Sequence, residues 1–172
     1  RLAAPDLPTL VADSDSTEDM TRLAAQSRVI ISTVGPYARY GTILLEACAA
    51  GGTHYCDLTG EPQWMASVFE HVSDAAEESG SRLIHCCGFD SIPSDLGVYV
   101  AQKIMMEKHG LYASSVSGRM GQSKGAVSGG TVASMLLAIE QGISDPVARK
   151  ALNDPYALYP TAVSYTHLRA HE

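Results

Sequence analysis

The sequence predicts an α/β protein built on a doubly wound parallel sheet. Three observations carry this. Strand-like and helix-like hydrophobic periods alternate along the chain. The β-branched runs show almost no polar alternation, as in strands covered on both faces. Short connections punctuated by glycine join them, and four strand–helix units in succession argue for parallel strands with right-handed crossovers.

The elements follow in order. Thr9-Leu-Val-Ala12 is a short apolar run ending at Asp13, and Ser14 to Ser16 supply caps for a helix striped by Met20, Leu23 and Ala24. Glu18 and Asp19 place negative charge near its N-terminus, where the helix dipole favours it. Arg28-Val-Ile-Ile-Ser-Thr-Val34 reads as a buried strand stopped by Gly35-Pro36. Ile43, Leu44, Ala47 and Cys48 stripe a helix closed by Gly51-Gly52. Thr53-His-Tyr-Cys56 is a strand that stops at Asp57. A longer helix carries Met65, Val68, Phe69, Val72, Ala75 and Ala76 and closes at Gly80. Arg82-Leu-Ile-His-Cys-Cys87 is a further strand ending at Gly88, and Leu96, Val100 and Ile104 continue as a helix to Gly110.

Beyond Gly110 the texture changes, with glycines at 118, 121, 125, 129 and 130 before a helix lined by Val132, Met135, Leu136 and Ile139. This places a domain boundary near Gly110: residues 1–110 form one domain and 111–163 begin a second of mixed α/β type. Both ends look unnatural. The chain opens at Arg1 directly ahead of a strand, and Ser164-Tyr-Thr-His-Leu-Arg-Ala-His-Glu172 resembles a cloning scar, so residues 164–172 are read as a non-native tail.

Composition narrows the function. Of 172 residues 45% are hydrophobic, enough for a core, and 18% are charged. A net charge of −7 with scattered Lys and Arg argues against nucleic acid as a partner. No stretch approaches the ~20 apolar residues that cross a bilayer. Cys48, Cys56, Cys86 and Cys87 form no C-x-x-C pair, lack metal-ligand spacing, and read as free thiols of a reducing compartment. No metal site is expected.

In an open parallel sheet, ligands bind beyond the carboxyl ends of the strands. Three segments belong on that rim: Thr33 to Gly41, Asp57 to Glu61, and Gly88 to Asp95. Gly35-Pro36 permits close backbone approach to a ligand, or is an ordinary strand-to-helix turn. Asp90-Ser-Ile-Pro-Ser-Asp95 is a helix start with Ser91 as cap candidate and Pro93 early in the helix, or a ligand edge. Ser128-Gly-Gly-Thr131 repeats that choice at the next helix. His54 or Asp57 could serve as a general acid. His85 and Cys86 are strand neighbours facing opposite ways, so they form no nucleophile–base pair. Gly121-Gln-Ser-Lys-Gly125 lacks the order of a phosphate loop. No G-x-S-x-G elbow supports a hydrolase.

Taken in order, Thr33-Val-Gly-Pro-Tyr37 with Tyr40-Gly41, Gly52-Thr-His-Tyr-Cys-Asp-Leu-Thr-Gly-Glu61, His85-Cys-Cys-Gly-Phe-Asp-Ser-Ile-Pro-Ser-Asp-Leu-Gly97 and Ser128-Gly-Gly-Thr131 resemble the saccharopine dehydrogenase-like oxidoreductases. The branch they look most like is that of the trans-acting enoyl reductases. The resemblance spans roughly residues 9 to 142. It implies an NAD(P)-binding Rossmann domain followed by a second domain, hydride transfer to a C=C bond of a lipid-like substrate, and NADP or NAD as cofactor. It also implies that the glycine fingerprint of the first βα unit lies outside this chain, making it an N-terminally truncated piece that would be inactive alone. By the family pattern Asp13 and Ser14 lie near the adenosine half, and Thr33, Val34, Gly35 and Pro36 line the ribose and nicotinamide side. Tyr37, Asp57, Glu61, Gly88, Phe89, Asp90, Ser91, Gly130 and Thr131 then face the substrate cleft. Enzymes that act on two substrate carboxylates need cationic groups, and only Arg39 and Arg119 lie near that cleft. The resemblance leaves open a homodimer, a cytoplasmic location with membrane or lipid-droplet association, and a non-catalytic, lipid-associated scaffold role.

Overall fold

A computed structural model describes residues 7–122 and 128–159. Helix α1 (Thr17–Ala25) starts at Ser16, whose hydroxyl accepts the Asp19 N–H, and buries Met20 and Ala24. Strand β1 (Val29–Ser32) leads through the turn at 33–36, with a cis Gly35–Pro36 peptide, into the short α2 (Tyr37–Tyr40) and then α3 (Thr42–Gly51). Strand β2 (His54–Asp57) precedes α4 (Pro62–Ser79), and β3 (Leu83–Ile84) precedes α5 (Ile92–His109). Helices α6 (Gly129–Ser144) and α7 (Pro146–Asn153) follow. The expected stops at Gly52, Gly80 and Gly110 all fall at left-handed φ, where a side chain would be strained.

The three strands form one parallel sheet in the order β1-β2-β3. Val29 is opposite His54, Ser32 opposite Asp57, and Cys56 opposite Ile84. In-register parallel pairing puts the three carboxyl ends, and so the three turns that leave them, on one rim. Helices α1, α3 and α4 pack over one face of the sheet. There Ile30, Tyr55, Leu45, Cys48, Trp64 and Val68 form the core.

Four expectations change. Thr9–Ala12 carries no ladder, because no strand among the described residues lies beside it. The strand expected over 82–87 is two residues long: Cys86 turns to φ 59 and ends it. The strand around Val29–Ser32 is covered on one face only, with Val29 and Ile31 exposed and Ile30 and Ser32 buried. The apolar stripe of α5 has no buried residue among those described. Residues 123–127, which include most of the Gly121–Gly125 segment, and the tail 164–172 lie outside the described residues.

Candidate functional site

The rim is built around two buried carboxylates. Asp57 closes β2. Its Oδ1 accepts the Thr59 and Cys86 N–H groups, each at 3.1 Å. Its Oδ2 lies 2.7 Å from His85 Nδ1, and its carbonyl accepts the Cys87 N–H at 2.7 Å. One side chain therefore binds the turn after β2 to the turn after β3 and supports the left-handed backbone at Cys86. His85 is held edge-on against Trp64 and Tyr55, with ring centroids 5.1 and 6.0 Å away.

Glu61 is the second. Its Oε1 and Oε2 accept the Tyr37 and Ala38 N–H groups, both at 2.9 Å, so it caps the helix that follows β1. Oε1 also accepts the Ser134 hydroxyl at 2.8 Å, which fastens α6 to the rim. The helix start at 37–38 is thus already filled by an internal anion. A second tie runs from Gln63 Nε2 to Gln141 Oε1 at 3.1 Å. Ser134 and Gln141 are seven residues apart, two helical turns, and so share one face of α6.

Aromatic packing stiffens this base. Tyr37 stacks on Trp64 at 5.5 Å, and the indole N–H donates to Thr42 Oγ1. The Tyr37 hydroxyl donates to the Ser32 carbonyl at 3.0 Å. Burial pushes the Tyr37 phenol up in pKa, opposed by the hydrogen bond from the Leu58 N–H and helped by the carboxylates of Asp57 and Glu61, and burial does the same to Tyr55. Burial also raises the thiols of Cys86 and Cys87, and pushes Cys48 up to about 11, so none is poised as a thiolate.

Between the rim and α6 lies a cleft of about 290 Å³. Thr33, Gly35 and Tyr37 line it from the β1 turn, and Leu58, Gly60, Glu61 and Gln63 from the β2 turn and the start of α4. Asp90 joins them from the β3 turn, and Ser128, Gly130, Thr131, Ser134 and Met135 from α6. Segments widely separated in sequence therefore meet in one space. The wall is hydroxyl-rich at one part and apolar at another, and among the described residues it contains no lysine, arginine or histidine. Among the described residues no cluster of His, Cys, Asp and Glu could hold a metal ion.

Of the residues singled out by sequence, Thr33, Gly35, Tyr37, Glu61, Asp90, Gly130 and Thr131 line this cleft. Asp13, Ser14, Val34, Pro36, Asp57, Gly88, Phe89 and Ser91 do not. Asp13 organises the entry to α1, accepting from the Asp15 and Ser16 N–H groups. Gly88 packs beneath the rim, where an added Cβ would sit 2.9 Å from the Leu58 Cβ. Ser128, not only a ligand-edge candidate, caps α6 by accepting the Thr131 N–H. Ser91 precedes α5 without a side-chain cap bond, and Pro93 stands in the first turn as expected. Sequence reasoning missed Gln63, Ser134 and the pairing of His85 with Asp57. Gln63 precedes the apolar stripe of α4, so its burial left no periodic trace. The His85 partner becomes visible only once the strand register is known.

The chain is similar to trans-acting enoyl reductases. A Mycobacterium tuberculosis (strain H37Rv) protein that carries this name provisionally is 42% identical over 158 residues, covering 92% of this chain and 38% of the relative. A second protein of that strain, named trans-acting enoyl reductase, is 40% identical over 166 residues, 90% of this chain and 37% of its own. One from Mycobacterium ulcerans with the same name is 39% identical over 156 residues, again 90% and 37%. The chain thus spans under two-fifths of the length of the curated relatives it matches. No protein-family model matches it, and no solved structure matches it. No helix among the described residues is long and apolar enough to cross a membrane.

Proposed function

We propose that the protein, at its complete natural length, is an NAD(P)-dependent enoyl reductase of Rossmann type that reduces the C=C bond of a lipid-like acyl substrate. The observation that carries this reading is the convergence of four glycine- or hydroxyl-bearing segments on one cleft at the carboxyl rim of a parallel sheet. That is where such sheets place their ligands. The names of relatives at 39–42% identity support the reaction class.

The cleft fits the nicotinamide end of a dinucleotide better than its phosphates. Among the described residues its wall is uncharged apart from Asp90 and the fully engaged Glu61, and none of them offers a cation to a pyrophosphate. The phosphates belong to a glycine turn that, by the resemblance, lies elsewhere in the complete protein, with Asp13 and Ser14 toward the adenosine half. When bound, the cofactor supplies the hydride. The chain's own residues orient its ring and place the acyl chain between Leu58 and Met135. Arg39 and Arg119 are not on the wall, which weighs against a substrate with two carboxylates.

The test uses the complete natural chain. It should quench NADPH fluorescence on binding and oxidise NADPH when given a trans-2-enoyl thioester. Absence of NADPH binding would overturn the proposal and favour a non-catalytic, scaffold role.

A further inference from the structure

The glycines of this chain have different physical reasons for lacking a side chain. Gly52, Gly80 and Gly110 hold left-handed φ. At Gly41 and Gly88 an added Cβ would fall 2.8 and 2.9 Å from its nearest neighbour, closer than packing allows. Gly35 has neither reason. Its φ lies outside the left-handed region, and an added Cβ would meet its nearest atoms at 3.5 to 3.8 Å, which is ordinary van der Waals contact. The fold therefore has room for an alanine at this position.

What that methyl group would occupy is the cleft. The neighbours of the added Cβ are Tyr37 Cε2 and Cδ2, from the β1 turn, and Ser134 Oγ, from α6. Gly35, Tyr37 and Ser134 all line the cleft, so Gly35 is bare floor where two of its walls meet. Those walls are fixed. Tyr37 is held by its stack on Trp64 and its bond to the Ser32 carbonyl, and Ser134 by its bond to Glu61. A rigid gap floored by a peptide, with an aromatic ring at its side, admits a planar group to contact distance. A methyl group on the floor would lift that group away and forfeit the contacts.

We propose that Gly35 is a specificity-determining residue of the cleft: its missing side chain sets how deeply a planar reacting group seats against Tyr37 and Ser134. The inference rests on the reading of the cleft as a nicotinamide and acyl site. Two planar groups meet the description: the nicotinamide ring, and the conjugated C=C–C=O unit of an enoyl thioester.

Gly35→Ala in the complete natural chain tests this, because stability and affinity should part. Alanine at a φ it accepts restricts the unfolded chain, so the urea midpoint should hold or rise. Dissociation constants should move the other way. One arm titrates NADPH. The other titrates a trans-2-enoyl thioester of N-acetylcysteamine without cofactor, so that no turnover occurs. Affinity should fall by about tenfold in at least one arm, the size of a one-methyl overpacking, and the arm that falls identifies the group on the floor. Gly51→Ala is the matched control: it lies in α3, off the cleft, and its added Cβ meets only Thr53 Oγ1, at 3.9 Å. Both constants should keep their wild-type values there. Unchanged affinity in both arms for Gly35→Ala would overturn the inference. So would a lowered urea midpoint, which would mean that the fold itself needs this glycine. Failure of wild type to bind NADPH or thioester at all would instead bring down the functional reading beneath it.

Discussion

At the scale of single residues, the two acids of the rim act through structure. Both stand in loops at strand ends, which is where a general acid would be sought, and sequence offered no way to tell the roles apart. The difference lies in burial and partners: Asp57 is 2% exposed and Glu61 4%, and each spends its oxygens on donors within the chain. Buried carboxylates with full sets of donors hold loops in place, and removing their acceptors strands several groups at once. Glu61→Gln keeps the shape but turns an amide NH₂ toward a backbone N–H. It should cost about 2 kcal/mol in urea unfolding, with Ser134→Ala costing about 1 kcal/mol. A Glu61→Gln protein as stable as wild type would mean that this carboxylate does not hold the β1 turn.

At the scale of elements, what could be read from the chain was what local chemistry decides. The glycine stops at Gly52, Gly80 and Gly110, the acidic first turn of α1 and the proline-led start of α5 follow from backbone preference alone. Strand extents do not, since a ladder needs a neighbour. Thr9–Ala12 has strand composition and no partner beside it, and the run at 82–87 is cut at Cys86 by bonds to Asp57 that no periodicity announces. Gly41 shows the same limit. In sequence it is a turn glycine beside Tyr40, yet its φ of −90° suits any residue. The requirement is space: an added Cβ would lie 2.8 Å from the Tyr37 carbonyl oxygen and 2.9 Å from Trp64 Cζ2. Gly41→Ala should therefore cost ~1–3 kcal/mol by overpacking and push the ring of Trp64 off Tyr37. As the chain has a single tryptophan, its emission reports that displacement directly. Gly60→Ala, with nothing within 4 Å of its added Cβ, is the matched control and should change neither stability nor emission.

At the scale of the whole molecule, the arrangement is lopsided. The α1, α3 and α4 layer covers one face of the sheet, while Val29, Ile31 and Ile84 on the other are each more than half exposed. Helix α5 leaves Leu96 and Tyr99 more than half exposed, and α6 does the same with Met135, Leu136, Ile139 and Ile143. Apolar composition spread around a strand or helix belongs to an element buried on several sides, which is why the chain reads as a doubly wound sheet although the described residues leave one side bare. Exposed apolar surface of this extent marks an interface or an aggregation hazard. With relatives more than twice as long as the matched span, the physically consistent occupant is further chain of the same protein, and the consequence is measurable. The 172 residues produced alone should bind the dye ANS strongly and elute ahead of a monomer in gel filtration. The complete natural chain should show weaker dye fluorescence per mole. Weak dye binding and monomeric elution by the 172 residues alone would mean that these faces are satisfied within them, and the case for a second helical layer would fail.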